Sequence, residues 1–272
     1  MSRLSIEQTL TDFRRLDLLA MDDTSIHQLD GRAKVLTVLV FITAVMSFNR
    51  YEFSALLPFI CFPLFLIIKG HLPATYLFKR IALVLPFAVL IGLFNPLLDR
   101  QVMVRLGSIS ISGGWISWAS IVVRAVLTVS AALILVSVTG FTAICQALTQ
   151  MGLPRAFAMQ LLFLHRYLFV LIEEAKQVSR ARELRSFGRT GLGIRNSGAI
   201  LGNLLLRTWE RAERIHLAML ARGFTGEFHT RKTAGFRGRD LLFLLGWSSV
   251  FIALRIWNMS QLLGYLVMEI VQ

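Results

Sequence analysis

Residues 173–240 read EEAKQVSRARELRSFGRTGLGIRNSGAILGNLLLRTWERAERIHLAMLARGFTGEFHTRKTAGFRGRD. This stretch carries fourteen Lys and Arg in a chain that is otherwise strongly apolar. Two helical patterns inside it each close on an Arg-centred tripeptide at a glycine: Leu184-Arg185-Ser186 before Gly188, and Ala221-Arg222-Gly223. A large basic helical region joined to apolar runs points to a membrane protein that grips something soluble.

Working outward, the 272 residues are 55% hydrophobic with a mean hydropathy of +0.63, too apolar for an ordinary soluble domain. Apolar runs at 33–48, 53–68, 81–98, 116–139 and 241–257 approach or exceed the roughly 20 residues that cross a ~30 Å hydrocarbon core. The fold class expected is an all-α polytopic membrane protein of about five spans. The first thirty residues mix Glu, Asp and Arg without a compact apolar core, so no cleavable signal peptide is expected. Arg32 and Lys34 flank the first run and are expected to snorkel to the interface. Residues 69–80 are expected to form a loop, and Pro86 is tolerated inside the third run.

Between 99 and 115 the period changes. Val102, Val104 and Leu106 alternate, Gly107 breaks the run, and Ile109 and Ile111 alternate again, which predicts a small β-hairpin ending at Gly113-Gly114. Phe141, Ile144, Leu148 and Met151 then recur at helical spacing opposite Thr142, Gln146, Thr149 and Gln150, a short amphipathic helix suited to the membrane interface. From 155 to 187 no proline or glycine intervenes, giving a helix of about 50 Å. A turn over 188–198 leads to a second helix over 199–221. It carries Arg207, Arg211 and Arg214 on one face and Leu201, Leu205, Ala212, Ile215 and Met219 on the other. Glu210 lies four residues before Arg214, so an intrahelical pair is expected there.

Charge placement sets the topology. If only the five runs cross, one side collects Arg3, Arg14, Arg15, Arg32, Lys34, Lys69, Lys79, Arg80 and the whole basic block. The other receives Arg50, Arg100 and Arg105, with Arg255 near its edge. That matches the positive-inside rule. A sixth span at 156–172 would export the basic block and hold Arg166 near mid-membrane at roughly 2.5–3.5 kcal/mol. The net charge of +13 sits beside the spans, where it sets topology and meets anionic headgroups, so the bilayer and not nucleic acid is the expected partner. Arg124, well inside the fourth run, is either functional or paired within the bundle.

Several chemistries have no sequence support. There is no G-x-x-x-x-G-K-[ST], no H-E-x-x-H and no G-x-S-x-G. Cys61 and Cys145 form no Cys-x-x-Cys, and the five histidines have no metal-ligand spacing. No catalytic residue, bound ATP or metal is expected in this chain, so energy must come from elsewhere. Two readings of Arg185 and Arg222 stay open on this basis: they complement helix dipoles, or they are docking groups.

The chain resembles the transmembrane T component of energy-coupling factor (ECF) transporters, in its CbiQ-like cobalt and nickel branch. Ser25-Ile-His-Gln-Leu-Asp-Gly-Arg-Ala-Lys34 resembles that branch's lead-in to the first span, with Ile26 and Gly31 where the branch has proline. Phe163-Leu-His-Arg-Tyr-Leu-Phe-Val-Leu171 resembles its Arg-Tyr helix. Arg182-Glu-Leu-Arg-Ser186, Arg211-Ala-Glu-Arg-Ile215 and Ala218-Met-Leu-Ala-Arg-Gly-Phe-Thr-Gly226 are the most specific pieces.

The resemblance implies two cytoplasmic coupling helices, each ending in an x-Arg-x motif that inserts into an ABC ATPase subunit. Carried over, the motifs are Leu184, Arg185, Ser186 and Ala221, Arg222, Gly223, with Arg182, Arg211, Arg214 and Arg124 in possible support. With the apolar runs and charge placement above, the chain divides into a cytoplasmic segment 1–32, a four-span bundle 33–139, a coupling region 140–240, and a last span with its tail, 241–272. It implies partner ATPases that bind ATP and a CbiM-like substrate-binding membrane subunit, with or without a CbiN-like small subunit, that binds the metal. The function implied is the non-catalytic scaffold of a Co²⁺ or Ni²⁺ importer in a bacterial or archaeal cytoplasmic membrane. A vitamin-transporter T component is the nearest alternative, and a standalone secondary carrier a more distant one.

Overall fold

The computed structural model describes residues 19–20, 24–49, 52–98, 102–106, 109–185, 194–224 and 235–256. The described chain is helical apart from one hairpin. Its elements are α1 (Gly31–Met46), a 3-10 segment (Ser54–Ile60), α2 (Cys61–Lys69), α3 (Ala74–Gly92), α4 (Phe94–Leu98), β1 (Val102–Leu106), β2 (Ile109–Ser112), α5 (Gly113–Thr139), α6 (Phe141–Gln150), α7 (Arg155–Arg185), α8 (Ile194–Ala221) and α9 (Gly238–Ile256). They fall into two compact units. One holds Leu16–Ala147 with Thr233–Gln272, and the other holds Leu148–Lys232.

Three helical stretches are long and apolar enough to cross a membrane: Ala74–Pro96, Gly113–Thr139 and Arg155–Ala181. The second apolar run is shorter, Ser54–Lys69, and is not one uniform helix. Pro58 lies in its 3-10 half and Pro63 near the start of α2. Neither proline has an N–H to give, so a regular i→i−4 ladder cannot run through. At about 2.0 Å per residue in the 3-10 part and 1.5 Å in the α part, the stretch still reaches about 27 Å. The chain is a multi-pass, all-α membrane protein.

The unit containing the first and last helices is organised around aromatic rings. Phe41 of α1, Phe59, Phe62 of α2 and Phe251 of α9 are all essentially inaccessible. Phe41 lies 4.8 Å from Phe62 and 5.3 Å from Phe251, and Phe62 lies 5.1 Å from Phe251 and 4.9 Å from Trp247, centroid to centroid. Lipid tails are as apolar as these rings, so the gain is close tilted and edge-on packing, about 0.5–1.5 kcal/mol per pair beyond burial. Leu127, Ala131, Ile134 and Val138 of α5 complete this core.

Polar groups close both ends of this bundle. Asp30 is the N-cap of α1 and accepts from the Arg32 N–H at 2.9 Å. Asp240, in the first turn of α9, reaches back to the Arg237 N–H at 2.7 Å, the acidic half of a capping box. Its other oxygen accepts the Asp30 N–H at 2.9 Å. One carboxylate, 4% exposed, therefore serves the N-termini of two helices and bonds an amide 210 residues away. Beside it Lys34 is 6% exposed and turns inward instead of snorkelling. Its Nζ donates to the carbonyls of His27 (3.3 Å) and Val138 (3.4 Å). The expectation fails because Val138 lies in the last turn of α5, whose carbonyls lack helical partners and favour a cation.

At the opposite end of α1, two arginines play the same part. Arg255 donates to the Ser47 carbonyl (3.1 Å) and Ser47 Oγ (3.3 Å), with its guanidinium 4.6 Å from the Phe48 ring centroid. Arg124 Nη2 donates to the Asn49 carbonyl. Both cations sit at the C-terminal end of α1, where orphan carbonyls concentrate.

The expected hairpin is present, with Val104 opposite Ile111, Arg105 opposite Ser110 and Leu106 opposite Ile109. Its turn residue Gly107 lies outside the described residues. The expected loop over 69–80 shortens, because α3 begins at Ala74, directly after Pro73 as N-cap. Arg80 stacks 5.4 Å from the Tyr76 ring one turn back, which helps to keep this basic stretch helical.

Replacing Asp240 by Ala would take the acceptor from the Asp30 and Arg237 amides in a part-buried site. With water able to reach the exposed Arg237 end, the loss should be about 1–3 kcal/mol in total, seen as a lower thermal midpoint in detergent. A midpoint unchanged from wild type would mean that the bridge contributes nothing.

Candidate functional site

The two Arg-centred tripeptides lie at the ends of the two long helices of the unit Leu148–Lys232. Helix α7 spans 31 residues, about 46 Å, and starts after the Gly152-Leu-Pro154 break. It ends at Arg185, one residue past Leu184, which is 74% exposed. The backbone of Arg182 and Arg185 belongs to this helix, while their side chains and all of Ser186 lie outside the described residues. Leu184 and Arg185 are therefore the last described residues of α7.

Helix α8 starts at Ile194, five residues earlier than the sequence pattern suggested, because Gly198 is absorbed into the helix. An interior glycine costs about 1 kcal/mol relative to alanine, which the rest of a 28-residue helix outweighs. Its end is defined atom by atom. The Phe224 N–H bonds the Met219 carbonyl at 3.0 Å, the Gly223 N–H bonds the Leu220 carbonyl at 3.0 Å, and Gly223 has φ +76°. This is the Schellman closure, in which a left-handed residue folds the chain back over the last turn. Glycine is favoured there because a Cβ at positive φ is strained. Ala221 ends the helix, and Arg222 stands exposed at the cap between it and Gly223.

That geometry has a chemical consequence. The two folded-back amides satisfy carbonyls that an Arg side chain could otherwise occupy, and Arg222 is left facing solvent. A guanidinium offers five donors in a planar fork, which suits a carboxylate or the carbonyl end of a helix on another protein. Small neighbours on both sides, Ala221 and Gly223, allow close approach.

The supporting residues do not converge on the tripeptides. Arg211 donates to Glu174 Oε2 of α7 at 3.3 Å, and Arg207 lies 3.9 Å from Glu174 Oε1. The intrahelical pair expected between Glu210 and Arg214 is not among the ion pairs of the described residues, and both side chains are exposed. The acid that meets this basic face is Glu174 on α7, 18% exposed, which pairs with Arg207 and Arg211 and not with Arg214. Arg124 belongs to the other unit and holds the Asn49 carbonyl there. Sequence reasoning passed over Glu174, Asp240 and the inward turn of Lys34. The one signal for Glu174 was an acidic pair, Glu173-Glu174, opening a block of fourteen basic residues.

Comparison with known proteins identifies the family. The family model described as cobalt transport protein, CbiQ, matches residues 22–233. The "Energy-coupling factor transporter transmembrane protein EcfT" of Heliobacterium modesticaldum is 26% identical over 87% of this chain and 94% of its own length. The "Cobalt transport protein CbiQ" of Salmonella typhimurium is 29% identical over 53% of this chain and 70% of its own length. An uncharacterized protein of Methanocaldococcus jannaschii is 25% identical over 81% of this chain and 78% of its own length. With its helical membrane architecture, and with the family match reaching from the α1 N-cap through both long helices, the chain belongs to the CbiQ family and is a transmembrane T component of an ECF-type transporter.

Proposed function

We propose that this chain is the coupling scaffold of an ECF importer for divalent cobalt or nickel. In this reading the tripeptides Leu184-Arg185-Ser186 and Ala221-Arg222-Gly223 dock in grooves of two ABC ATPase subunits. ATP is bound and hydrolysed by those subunits, and the metal ion by a separate CbiM-like membrane subunit, with or without a CbiN-like one. The chain itself does no catalysis. The observation that carries the reading is the end of α8, where a backbone closure leaves Arg222 exposed between two small residues at a helix tip. Closure of the ATPases on ATP would draw the ends of α7 and α8 together and pass that displacement to the substrate-binding subunit.

The topology that goes with this reading has five spans, with the N-terminus and 140–240 in the cytoplasm and the β1–β2 hairpin outside. Arg155–Ala181 is long and apolar enough to cross, but its crossing would export the basic block. Its apolar half lies along the membrane instead. A non-metal cargo is a second reading, favoured by the relative named only as an ECF transporter transmembrane protein, which covers 87% of this chain. The substrate-binding subunit that co-purifies separates the two.

Magnitude decides between docking and helix-end decoration for the two arginines. A cation at a helix C-terminus is worth a few tenths to about 1 kcal/mol, whereas breaking one partner of a buried interfacial charge pair costs about 2–5 kcal/mol. Arg185→Glu and Arg222→Glu should each weaken co-purification with the ATPase by at least about tenfold, and the double variant should abolish it. If both reversals assemble normally and support ATP-driven uptake, the docking reading is wrong.

The orientation has its own test. In a cysteine-free background with Glu213, exposed on α8, replaced by Cys, a membrane-impermeant maleimide should label inverted vesicles and spare intact cells. Labelling confined to the outer face would overturn the five-span topology.

A further inference from the structure

Residues 53–98 hold no Asp or Glu, yet they carry Lys69, Lys79 and Arg80. Lys69 is the last residue of α2, and Lys79 and Arg80 lie in the second turn of α3, beyond the turn 70–73. Lys69 and Lys79 are exposed, and neither joins an ion pair among the described residues. Nor is Lys69 needed to close α2. The Gly70 N–H bonds the Leu66 carbonyl at 2.8 Å, and the Leu72 N–H bonds the Ile67 carbonyl at 3.1 Å. The turn therefore presents positive charge to which its own segment offers no carboxylate.

Next to these cations α3 shows a bare apolar face. Leu83, Phe87, Leu90 and Ile91 are each 64–72% exposed, while Leu77, Ile81 and Ala88 are buried on the side where α3 packs on α5. Tyr76 and Lys79 continue the exposed face toward the turn, because positions 76, 79, 83, 87 and 90 follow in steps of three and four. Arg80 stacks 5.4 Å from the Tyr76 ring and so stands at the same level. Along the helix, one face passes from cations and tyrosine to about 12 Å of exposed hydrocarbon. Because Ala74–Pro96 is long and apolar enough to cross the membrane, that strip lies at acyl-chain depth, and Tyr76 with the cations lies at headgroup depth.

We propose that this face of α2 and α3 is a binding site for an anionic phospholipid. Lys69, Lys79 and Arg80 hold the phosphate, and an acyl chain lies along Leu83, Phe87 and Ile91. A phospholipid carries both halves of the match in one molecule, a phosphate at the level of the cations and hydrocarbon beside the apolar strip. An ammonium meets a phosphate as a point charge and a guanidinium meets it as a planar fork. The site depends neither on the coupling role proposed above nor on the side of the membrane to which the turn faces.

The test uses the full-length chain, delipidated in neutral detergent and titrated with phosphatidylglycerol or with phosphatidylcholine of the same acyl chains, bound lipid being counted by native mass spectrometry. Phosphatidylglycerol should bind at least about tenfold more tightly. The triple variant Lys69→Gln, Lys79→Gln, Arg80→Gln should erase that preference and leave phosphatidylcholine binding unchanged. Lys69→Arg with Lys79→Arg should keep it. Removing as much charge elsewhere, by Arg214→Gln, Arg237→Gln and Arg239→Gln at exposed positions, should also keep it. Soluble glycerol 3-phosphate, which has the phosphate without the chains, should not displace the lipid. Equal binding of the two lipids, an equal loss in the second triple variant, or displacement by glycerol 3-phosphate overturns the site. So does a diazirine amino acid at Phe87 that crosslinks to another protein subunit of the assembled transporter and not to lipid.

Discussion

The membrane bundle depends on one carboxylate. Asp240 takes the N–H groups of Arg237 and Asp30, so the first and last helices of the unit share a single cap. Loop closure over 210 residues is entropically expensive, and the bridge can hold only because it is buried and fully satisfied. Lys34 and Asp30 lie in the same electrostatic neighbourhood, so the buried carboxylate is balanced by a buried ammonium and by amide dipoles. Above this polar floor, Phe41, Phe62 and Phe251 interlock. Once α1 and α9 are pinned at their N-termini, those rings have no freedom to choose another register.

The second unit is built on the opposite logic. Its two helices leave large apolar and charged side chains exposed and meet in part through Glu174 and its arginines. Few buried apolar contacts and a salt-sensitive clasp are the physical signature of an element that moves at low free-energy cost. A densely packed, capped unit and a lightly held pair of long helices suit the coupling role proposed above.

Most of the architecture was legible because bilayer helices announce themselves by length and apolarity. Residues 113–139 and 155–185 followed directly from runs without breakers, and the hairpin followed from period two around Gly107. The tripeptides were legible because a glycine stop after an Arg is a local signal, and Gly223 does fold the chain back at positive φ. What was not legible was long-range. Asp240 looked like one acid before an apolar run, and its partner stands 210 residues away. Glu210 looked like the partner for the basic face because i,i+4 spacing is visible in sequence, whereas Glu174 on another helix is not. Lys34 looked like a snorkelling residue until the carbonyl end of α5 appeared beside it. The 3-10 stretch over Ser54–Ile60 was hidden because hydropathy has no term for helix type.

In the coupling role proposed above, Leu184 and Ala221 lie against an ATPase subunit. Photo-crosslinking in the assembled complex measures this, with a diazirine amino acid placed at Leu184 or at Ala221 and, as control, at the exposed Leu83 of α3. Adducts with the ATPase subunit from 184 and 221, and none from 83, are the predicted result. Adducts from neither tip, or equal yields from the tips and from position 83, would contradict it.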